Sequence, residues 1–504
     1  MATADASYAV PIGAGGTESS TDTATDESEG GASSSEAESS TDAENKAVLE
    51  DGISGTSPAQ TVFNIVKNIV GEGMLSLPAG VAAGTGLVVA ICITAVFGAF
   101  LGYTFAGMGR ICQATKSKNH KEAGTAVIGP RFGQFMAIVL MAKTAFTCVS
   151  YAMVIGESYS RILHFFGLHT WLSHPRSVLI IMMVFVLTPL CIQKDLSVLS
   201  YTSLFGIACE IFVVGFMQAR LLDGTYSEGG EFFYKIPAKD RRSFGNPNYP
   251  HMFDLSVTTM VLLASLSTAF IAHYNAPKFY SQMRKRSPSR FNAVVTVAFS
   301  VAFAIYVWVM AVGYLTFGAG CEGLILNNYS EEDPWAMGAR VAIGFAVLFG
   351  FPLSFTALRD STMATFGLNP EQRRWFYGTT SVLIVLITVL GCELDDLGLV
   401  NSLGGAVFGA LITLVFPATL VYCSAHKEAR EVKSGEKRRW FASERPFMLV
   451  LLALGVFLLL FGSVIVLLKK FSPESLGIHP ATKTVPPTNV MNLPNNTNSS
   501  VYVP

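Results

Sequence analysis

Long apolar runs alternate with short polar connections along most of the chain, from about residue 58 to residue 469. Each run has 17–25 residues, which is enough to cross a hydrocarbon layer of about 30 Å as a helix. Each must be helical, because lipid offers no hydrogen-bond partner to an open backbone. The pattern predicts an all-α polytopic membrane protein with about eleven transmembrane helices. The runs, which we number as the first to the eleventh span, lie near residues 61–83, 86–108, 134–158, 177–193, 199–219, 254–275, 293–317, 335–357, 376–392, 397–421 and 447–468.

Polar segments flank these spans at both ends of the chain. Residues 1–50 contain 15 Ser or Thr, 11 Asp or Glu and one basic residue, Lys46. Such a segment has too little apolar surface to offset the entropy of ordering, so we expect it to be disordered. The predicted organisation is a disordered, acidic, Ser/Thr-rich cytosolic tail at 1–57, a ten-helix core at 58–425, a basic cytosolic loop at 426–445, an eleventh helix at 446–469 and a disordered outer or lumenal tail at 470–504.

Composition excludes several classes of function. Hydrophobic residues make up 51 % of the chain and charged residues 14 %, against about 25 % charged residues in soluble proteins. A soluble enzyme and a single-pass receptor are therefore excluded. The net charge of −1 creates no basic field for nucleic acid. The eight cysteines are scattered, without a CxxC pair or a Cys/His cluster, so neither a disulfide framework nor a zinc site is indicated.

The distribution of basic residues orients the spans. With the N-terminus in the cytosol, the inner loops carry 21 Lys and Arg residues and the outer segments carry 10, which is the bias expected of cytoplasmic loops. An odd number of spans then places the C-terminus outside the cell or in a lumen. Three N-x-S/T sequons, at Asn328, Asn495 and Asn498, fall on the outer side in this topology, where glycosylation is possible.

The first span carries an interruption. It reads TVFNIVKNIVGEGMLSLPAG over Thr61–Gly80, with Gly71 and Gly73 on either side of Glu72 and with Pro78 further on. Glycine is a weak helix former, and proline removes a backbone donor. Backbone that opens at membrane depth is tolerated only where it lines a cavity or packs on protein. The alternative is a glycine-mediated helix contact with a simple proline kink.

An opened first span would present free backbone amides. Those of Met74, Leu75 and Ser76 would begin a half-helix whose positive end faces the gap. That end suits the carboxylate of a small substrate. The predicted substrate site in this span comprises Gly71, Glu72, Gly73, Met74 and Leu75.

The sixth span is a second interrupted helix. It reads DLSVTTMVLLASLSTAFIAHYNAPKFY over Asp254–Tyr280, with a small, hydroxyl-bearing middle. Broken helices in corresponding positions of two halves point to the substrate site of a transporter. Spans one to five and six to ten then form two five-helix halves, and the eleventh span is an addition. The hydroxyls of Ser265, Ser267 and Thr268 are predicted to help bind a substrate ammonium.

Several motifs together resemble one family. The first span is similar to the opening motif F-N-x-x-x-x-x-x-G-x-G-x-L-x-L-P, and further matches are KEAGTAVIGPRFG (121–133), TPLCIQKDLSVLSYTSLFG (188–206), GYLTFG (313–318), ILNNY (325–329) and Pro352 to Arg359. Over about residues 58–425 the chain resembles the amino acid/auxin permease family of the amino acid–polyamine–organocation superfamily. The resemblance implies a leucine-transporter-like fold of two inverted five-helix repeats plus one helix. It also implies movement of amino acids driven by sodium or protons, without a bound cofactor.

Ionisable residues at membrane depth are candidates for ion coupling. Each is costly there, by about 2.5–3.5 kcal/mol at the bilayer centre, so each needs a partner or a role. The candidates are Lys67, Glu72 and His273. The structural alternatives are an ion pair of Lys67 with Glu72 or another acid and a hydrogen-bonded core histidine at His273. A pair of Glu210 with Lys143 is also possible.

The residue at position 67 differs between the sodium-coupled and the proton-coupled transporters that this chain resembles. Members similar to sodium-coupled neutral amino acid transporters have Asn at the position of Lys67, and they carry hydroxyls just before the proline of the eighth span. This chain has AVLFGFP at 346–352, without a hydroxyl. An ammonium would oppose a cation site built from neutral oxygens. The resemblance to proton-coupled transporters at Lys67 therefore favours proton-coupled or facilitative movement.

The function predicted from the sequence is transport of amino acids, either secondary active transport coupled to protons or facilitative transport. Two alternatives stay open: an amino acid sensor that uses the same pocket, and sodium-coupled transport. An intramembrane enzyme is not indicated, since the chain has no HExxH, no GxSxG and no paired Asp motif. The expected partners are a small amino acid and the lipid bilayer of the plasma membrane, a vacuole or a lysosome.

Overall fold

The computed structural model describes residues 55–192, 197–242, 249–369, 371–433 and 444–476. Within these ranges the regular structure is helical, and extended pairing is limited to two isolated β-bridges. The two tails predicted to be disordered lie largely outside the described residues. So does the middle of the basic loop between the tenth and eleventh spans.

Nine helices of the described chain are long and apolar enough to cross a membrane. They correspond to the second to fifth and the seventh to eleventh predicted spans. Several are longer than predicted, because an apolar run marks the thickness of the lipid and not the ends of the helix. The helices are Leu87–Thr115, Pro130–Phe165, Pro175–Ile192, Phe205–Leu222, Pro288–Gly320, Pro334–Phe366, Arg373–Glu393, Leu397–His426 and Arg445–Phe471.

The first and sixth spans are each broken into shorter pieces. The first consists of Pro58–Ile69, a 3-10 turn at Glu72–Ser76 and Leu77–Ala82, and the sixth of Thr259–Ala269, a 3-10 turn at His273–Asn275 and Ala276–Gln282. Together with the nine long helices, these two broken spans account for the eleven predicted crossings. The predicted all-α polytopic class, with two interrupted spans, is confirmed.

Local hydrogen bonds explain where the broken spans begin. The Ser57 hydroxyl accepts from the Gln60 amide, and the Gln60 side chain accepts from the Ser57 amide, which caps the first helix. Residues 254–258, predicted as helix, are not helical. The Gly86 amide instead donates to the Asp254 carbonyl oxygen at 2.9 Å. Pairing with the turn after the first span therefore delays the sixth helix to Thr259.

The N-terminal half of the sixth span lies directly on the tenth span. A Cβ on Gly405 would overlap the carbonyl oxygen of Ala264, and a Cβ on Gly409 would lie 2.8 Å from the Cβ of Ser267. These two glycines bound a π-helical turn, Gly405–Gly409, a feature that is frequent at functional sites. Because these two residues have no side chain, the backbones of the two helices can come into contact.

Contacts with neighbouring helices surround the first span. The seventh span packs against both of its helical pieces, while the eighth span packs along the third and the fifth. A Cβ on Gly313 of the seventh span would lie 2.6 Å from Cγ of Pro78, so only glycine fits at this crossing. The break in the first span is thus surrounded by the sixth, seventh and tenth spans.

Candidate functional site

The two helix breaks face each other. A Cβ on Gly73 would lie 3.5 Å from the Cα of Ala269, the last helical residue before the break in the sixth span. A Cβ on Gly71 would meet no atom within 4 Å, so open space lies beside this residue. Gly71 has an extended backbone and separates the helix that ends at Ile69 from the 3-10 turn. The break predicted from the G-x-G sequence is present, and it borders a gap.

A tyrosine of the seventh span joins the two breaks. The fully buried Tyr306 hydroxyl lies 2.8 Å from the carbonyl oxygen of Ile69 and 2.6 Å from that of Ala269. These are the last residues of the two helices that precede the breaks, where carbonyl groups have no partner within the helix. Because a hydroxyl has one proton, Tyr306 serves two acceptors with a single donor. The sequence offered one signal for it: a tyrosine in the interior of an apolar span.

A second polar contact links the breaks on their other side. The Asn68 side-chain oxygen accepts from the Tyr274 hydroxyl at 3.0 Å and from the Asn275 side-chain amide at 2.8 Å. The Lys143 ammonium of the third span lies 4.2 Å from the centre of the Tyr274 ring. The first and sixth spans are therefore connected immediately before and after the gap, by residues that were not predicted as site residues.

The amides that follow the first break are not all free. The Met74 amide donates to the Gly71 carbonyl oxygen at 3.1 Å, because a 3-10 turn follows the break. The Ser76 hydroxyl donates to the Gly73 carbonyl oxygen at 2.9 Å, and Met74 and Leu75 are buried. The expectation that the Met74 amide faces the gap unpaired is therefore wrong. Gly71 is the member of this predicted site that borders open space.

The predicted hydroxyls of the sixth span lie against the tenth span. The Ser265 hydroxyl lies 3.1 Å from that of Ser402, and the Thr268 hydroxyl donates to the Asn401 carbonyl oxygen at 2.6 Å. Ser267 is fully buried beside Gly409. Contact of these three hydroxyls with a substrate ammonium stays a prediction. Their hydrogen bonds and packing fix the tenth span on the sixth.

His273 is a core histidine. It is fully buried, and its Nε2 atom lies 3.0 Å from the Leu101 carbonyl oxygen and 3.0 Å from the Thr104 hydroxyl. The Phe105 ring packs edge-on against the imidazole. His120, in the short helix between the second and third spans, bonds the backbone of His273, and burial lowers its pKa to about 4. Of the two alternatives for His273, the structure favours the hydrogen-bonded core residue.

Lys67 has an acidic neighbour on the fifth span. The charge of its half-buried ammonium acts on the Glu210 carboxylate, without a direct ion pair between these two described residues. The charge that acts on Glu210 thus comes from the first span, and Lys143, considered as its partner from the sequence, packs on Tyr274. Glu72 begins the 3-10 turn after the break. The candidate coupling residues Lys67 and Glu72 therefore lie on the two sides of Gly71.

A protein-family comparison identifies the class of this chain. The model of the family described as "Transmembrane amino acid transporter protein" matches residues 54–468. The chain belongs to this family. Membership agrees with the predicted resemblance to amino acid permeases and makes the protein a transporter-family member and not an enzyme.

Individual relatives of this family member are themselves transporters. Vacuolar amino acid transporter 5 of Schizosaccharomyces pombe is 27 % identical over 377 residues, which is 73 % of this chain and 85 % of the relative. Sodium-coupled neutral amino acid transporter 7 of Xenopus laevis is 23 % identical, over 82 % of this chain and 88 % of the relative. A solved structure, MhsT in complex with L-phenylalanine, aligns with a TM-score of 0.48 at 14 % identity, over 82 % of this chain and 98 % of that chain.

This family member has a cavity of about 250 Å³ next to the broken spans. Ser76 and Ser265 line it, as do Asp396 at the start of the tenth span and Lys470 at the end of the eleventh. The Lys470 ammonium lies 2.8 Å from Oδ2 of Asp396. Although burial opposes ionisation of Asp396, this ion pair and the Leu399 amide hold its pKa below the usual range. The ion pair joins the ends of two helices beside the cavity.

Of the three predicted glycosylation sites of the transporter, the structure describes Asn328. Asn328 is fully buried. Its side-chain oxygen accepts from the Glu322 amide, and its side-chain nitrogen donates to the Gly320 carbonyl oxygen, both at 2.8 Å. A glycan on this amide would break both contacts, so the geometry argues against glycosylation at Asn328. Asn495 and Asn498 lie outside the described residues.

Replacing Tyr306 by Phe should impair the transporter without removing it from the membrane. The substitution leaves two buried carbonyl groups without a donor, at a cost of about 1–3 kcal/mol. We expect lower thermal stability and an uptake rate reduced by about tenfold, which corresponds to 1.4 kcal/mol. Tyr314→Phe is the matched control, since Tyr314 lies on the same helix and its hydroxyl accepts from the His251 amide. Equal uptake and stability for Tyr306→Phe and the unmodified protein would contradict the bridging role.

Proposed function

We propose that this chain carries amino acids across a membrane through the gap beside Gly71, as a secondary active or facilitative transporter. The observation that supports this most directly is the apposition of two helix breaks at open space. Broken helices present the ends of half-helix dipoles to a substrate and to its coupling ion. The names of the Schizosaccharomyces pombe and Xenopus laevis relatives, both amino acid transporters, agree with this proposal.

The polarity of the two breaks suggests how an amino acid lies between them. Its carboxylate is assigned to Gly71–Gly73, where the positive end of the following helical piece points. Its ammonium is assigned to the carbonyl end of Thr259–Ala269, where the helix dipole is negative. A carbonyl oxygen has two lone pairs, so the bond to Tyr306 leaves the Ala269 oxygen some capacity to accept. The substrate then bridges opposite dipole ends of the two broken spans.

Proton coupling is the favoured energy source. Lys67 lies one helical turn before the break, and its ammonium opposes a sodium ion bound nearby. The stretch at 346–352 brings no hydroxyl to complete such a site. The alternative is sodium coupling, which the name of the Xenopus laevis relative favours. A proton bound to a carboxyl group near Lys67 would neutralise that group and would not place a second cation next to the ammonium.

The proposed location is a cellular membrane, either the plasma membrane or that of a vacuole or lysosome. The N-terminus is assigned to the cytosol on the two-to-one bias of basic residues toward the inner loops. Eleven crossings then place the C-terminal segment on the outer or lumenal side. Protease digestion of sealed vesicles of known orientation tests this assignment, and a C-terminal tag that is cleaved only from the cytosolic side would refute it.

Uptake of radiolabelled amino acids into proteoliposomes tests the proposed function. We expect saturable uptake of at least one common amino acid, stimulated by an inward proton gradient and unchanged by a sodium gradient. Liposomes without protein provide the background. Absence of uptake for every amino acid under either gradient, with folded protein in the vesicles, would refute transport. Uptake that rises saturably with sodium concentration would show that the coupling ion is sodium and not the proton.

A further inference from the structure

Glu210 occupies an unusual position for a carboxyl group. It lies in the interior of the fifth helix, Ser197–Leu222, about 18 Å along the axis from the end at Leu222. Its Oε2 atom is buried and has no hydrogen-bond partner among the described residues. A buried carboxylate without a partner is strongly disfavoured relative to its protonated form. The position therefore calls for a counter-charge or for a proton.

The groups that face Glu210 belong to the helix breaks. Lys67 of the first span supplies the opposite charge. Tyr306 of the seventh span, whose hydroxyl holds the carbonyl oxygens of Ile69 and Ala269, also lies within its electrostatic reach. Cys209 is its neighbour in the chain. The carboxyl group thus interacts electrostatically with residues of the first and seventh spans.

The eighth span, which packs along the fifth, has charged groups that are engaged elsewhere. Arg340 donates to the carbonyl oxygens of Leu326, Tyr329 and Ser330, and Arg359 donates to that of Cys191. Neither arginine supplies the charge that acts on Glu210. Burial favours the protonated carboxyl, and Lys67 is the charge that opposes it.

Other carboxyl groups at the ends of the spans are satisfied by hydrogen bonds. Glu157 accepts from the Asn327 side chain at 2.7 Å. Asp333, fully buried, accepts two hydrogen bonds from Arg220. These groups have the fixed partners expected of structural carboxylates. Glu210, with a buried oxygen that has no hydrogen-bond partner among the described residues, does not fit that pattern.

We propose that Glu210 is the site that binds the coupling proton. In the ionised state the carboxylate attracts the Lys67 ammonium, one turn before the Gly71 break. When one proton binds to the carboxylate, its charge changes from −1 to 0, Lys67 keeps its charge, and the attraction is lost. The proton leaves to the opposite compartment when the carboxyl group ionises again. This inference rests on the proposed proton-coupled transport.

Glu210→Gln separates coupling from transport. For one proton per amino acid, a gradient of two pH units supports up to about 100-fold accumulation. We expect reconstituted Glu210→Gln to lose this accumulation, to keep counterflow exchange of labelled for unlabelled amino acid, and to show no pH dependence of exchange. Glu157→Gln is the matched control and should retain accumulation. Glu210→Asp, which keeps the carboxyl group, should retain accumulation with a shifted pH profile.

Each result decides between distinct conclusions. Proton-driven accumulation by folded Glu210→Gln would overturn the assignment of Glu210. Loss of counterflow together with accumulation, with Glu210→Asp having the pH profile of the unmodified protein, would reduce Glu210 to a structural residue. Counterflow without any response to a proton gradient in the unmodified protein would refute proton coupling and leave transport intact. Absence of counterflow in the unmodified protein would refute the proposed function itself.

Discussion

Gly71→Val should abolish amino acid uptake while the protein still folds and reaches the membrane. The new side chain would enter the open space beside the break, where no atom lies within 4 Å of a Cβ. The backbone at Gly71 is extended, a conformation that valine adopts readily. Loss of function therefore arises from the occupied gap and not from backbone strain. We expect uptake to fall by about 100-fold, the size of effect that a displaced substrate produces.

Gly378→Val is the matched control for this experiment. Gly378 lies in the ninth helix, and a Cβ there also meets no atom within 4 Å. We expect uptake near that of the unmodified protein. Gly73→Val should also abolish uptake, because its side chain would press on Ala269 and Thr268 and separate the two breaks. Normal uptake by both Gly71→Val and Gly73→Val would remove the first span from the substrate site.

Lys67→Asn should abolish the response of uptake to a proton gradient, whereas uptake by the unmodified protein should persist when choline replaces sodium. An ammonium about 4 Å from a sodium ion repels it by roughly 4 kcal/mol at an effective dielectric of 20. This corresponds to about three decades in affinity, enough to empty such a site. Without Lys67, Glu210 loses its counter-charge and holds its proton through the cycle.

The control is Lys67→Arg, which keeps the positive charge and should retain part of the proton response. Circular dichroism and thermal melting of detergent-solubilised protein establish that Lys67→Asn is folded. Saturable dependence of uptake on sodium in the unmodified protein would show that the cation binds at a place other than the surroundings of Lys67. A proton response of Lys67→Asn equal to that of the unmodified protein would separate Lys67 from coupling.

The spans and their interruptions follow from local features of the chain. Eleven apolar runs predict eleven crossings, since the thickness of lipid selects the length of each run. The break at Gly71–Gly73 is where two weak helix formers flank a charged residue. The boundaries were less accurate at residues 254–258, where hydrogen bonds to the turn at Gly84 and Gly86 replace the helix. Such bonds join segments about 170 residues apart, and no local pattern encodes them.

The candidate site was predicted only in part. Gly71 lies at the gap as expected, but the Met74 amide is used by the 3-10 turn. The hydroxyls of Ser265 and Thr268 bind the tenth span. Small hydroxyl side chains suit a substrate site and a close helix contact equally well. Only the position of the tenth span distinguishes the two roles.

The sequence by itself determined the class, the crossings, the two interruptions and the family motifs, because hydropathy and backbone propensity act over a few neighbouring residues. The tertiary structure decided the partners: Tyr306 between Ile69 and Ala269, Asn68 with Tyr274 and Asn275, and the buried contacts of Asn328. Helices that are similarly apolar can pack in many rotations about their axes. The rotation of each helix about its axis decides which polar residues meet. That rotation depends on contacts such as the close packing of Gly405 on Ala264. Those contacts arise between helices far apart in the chain.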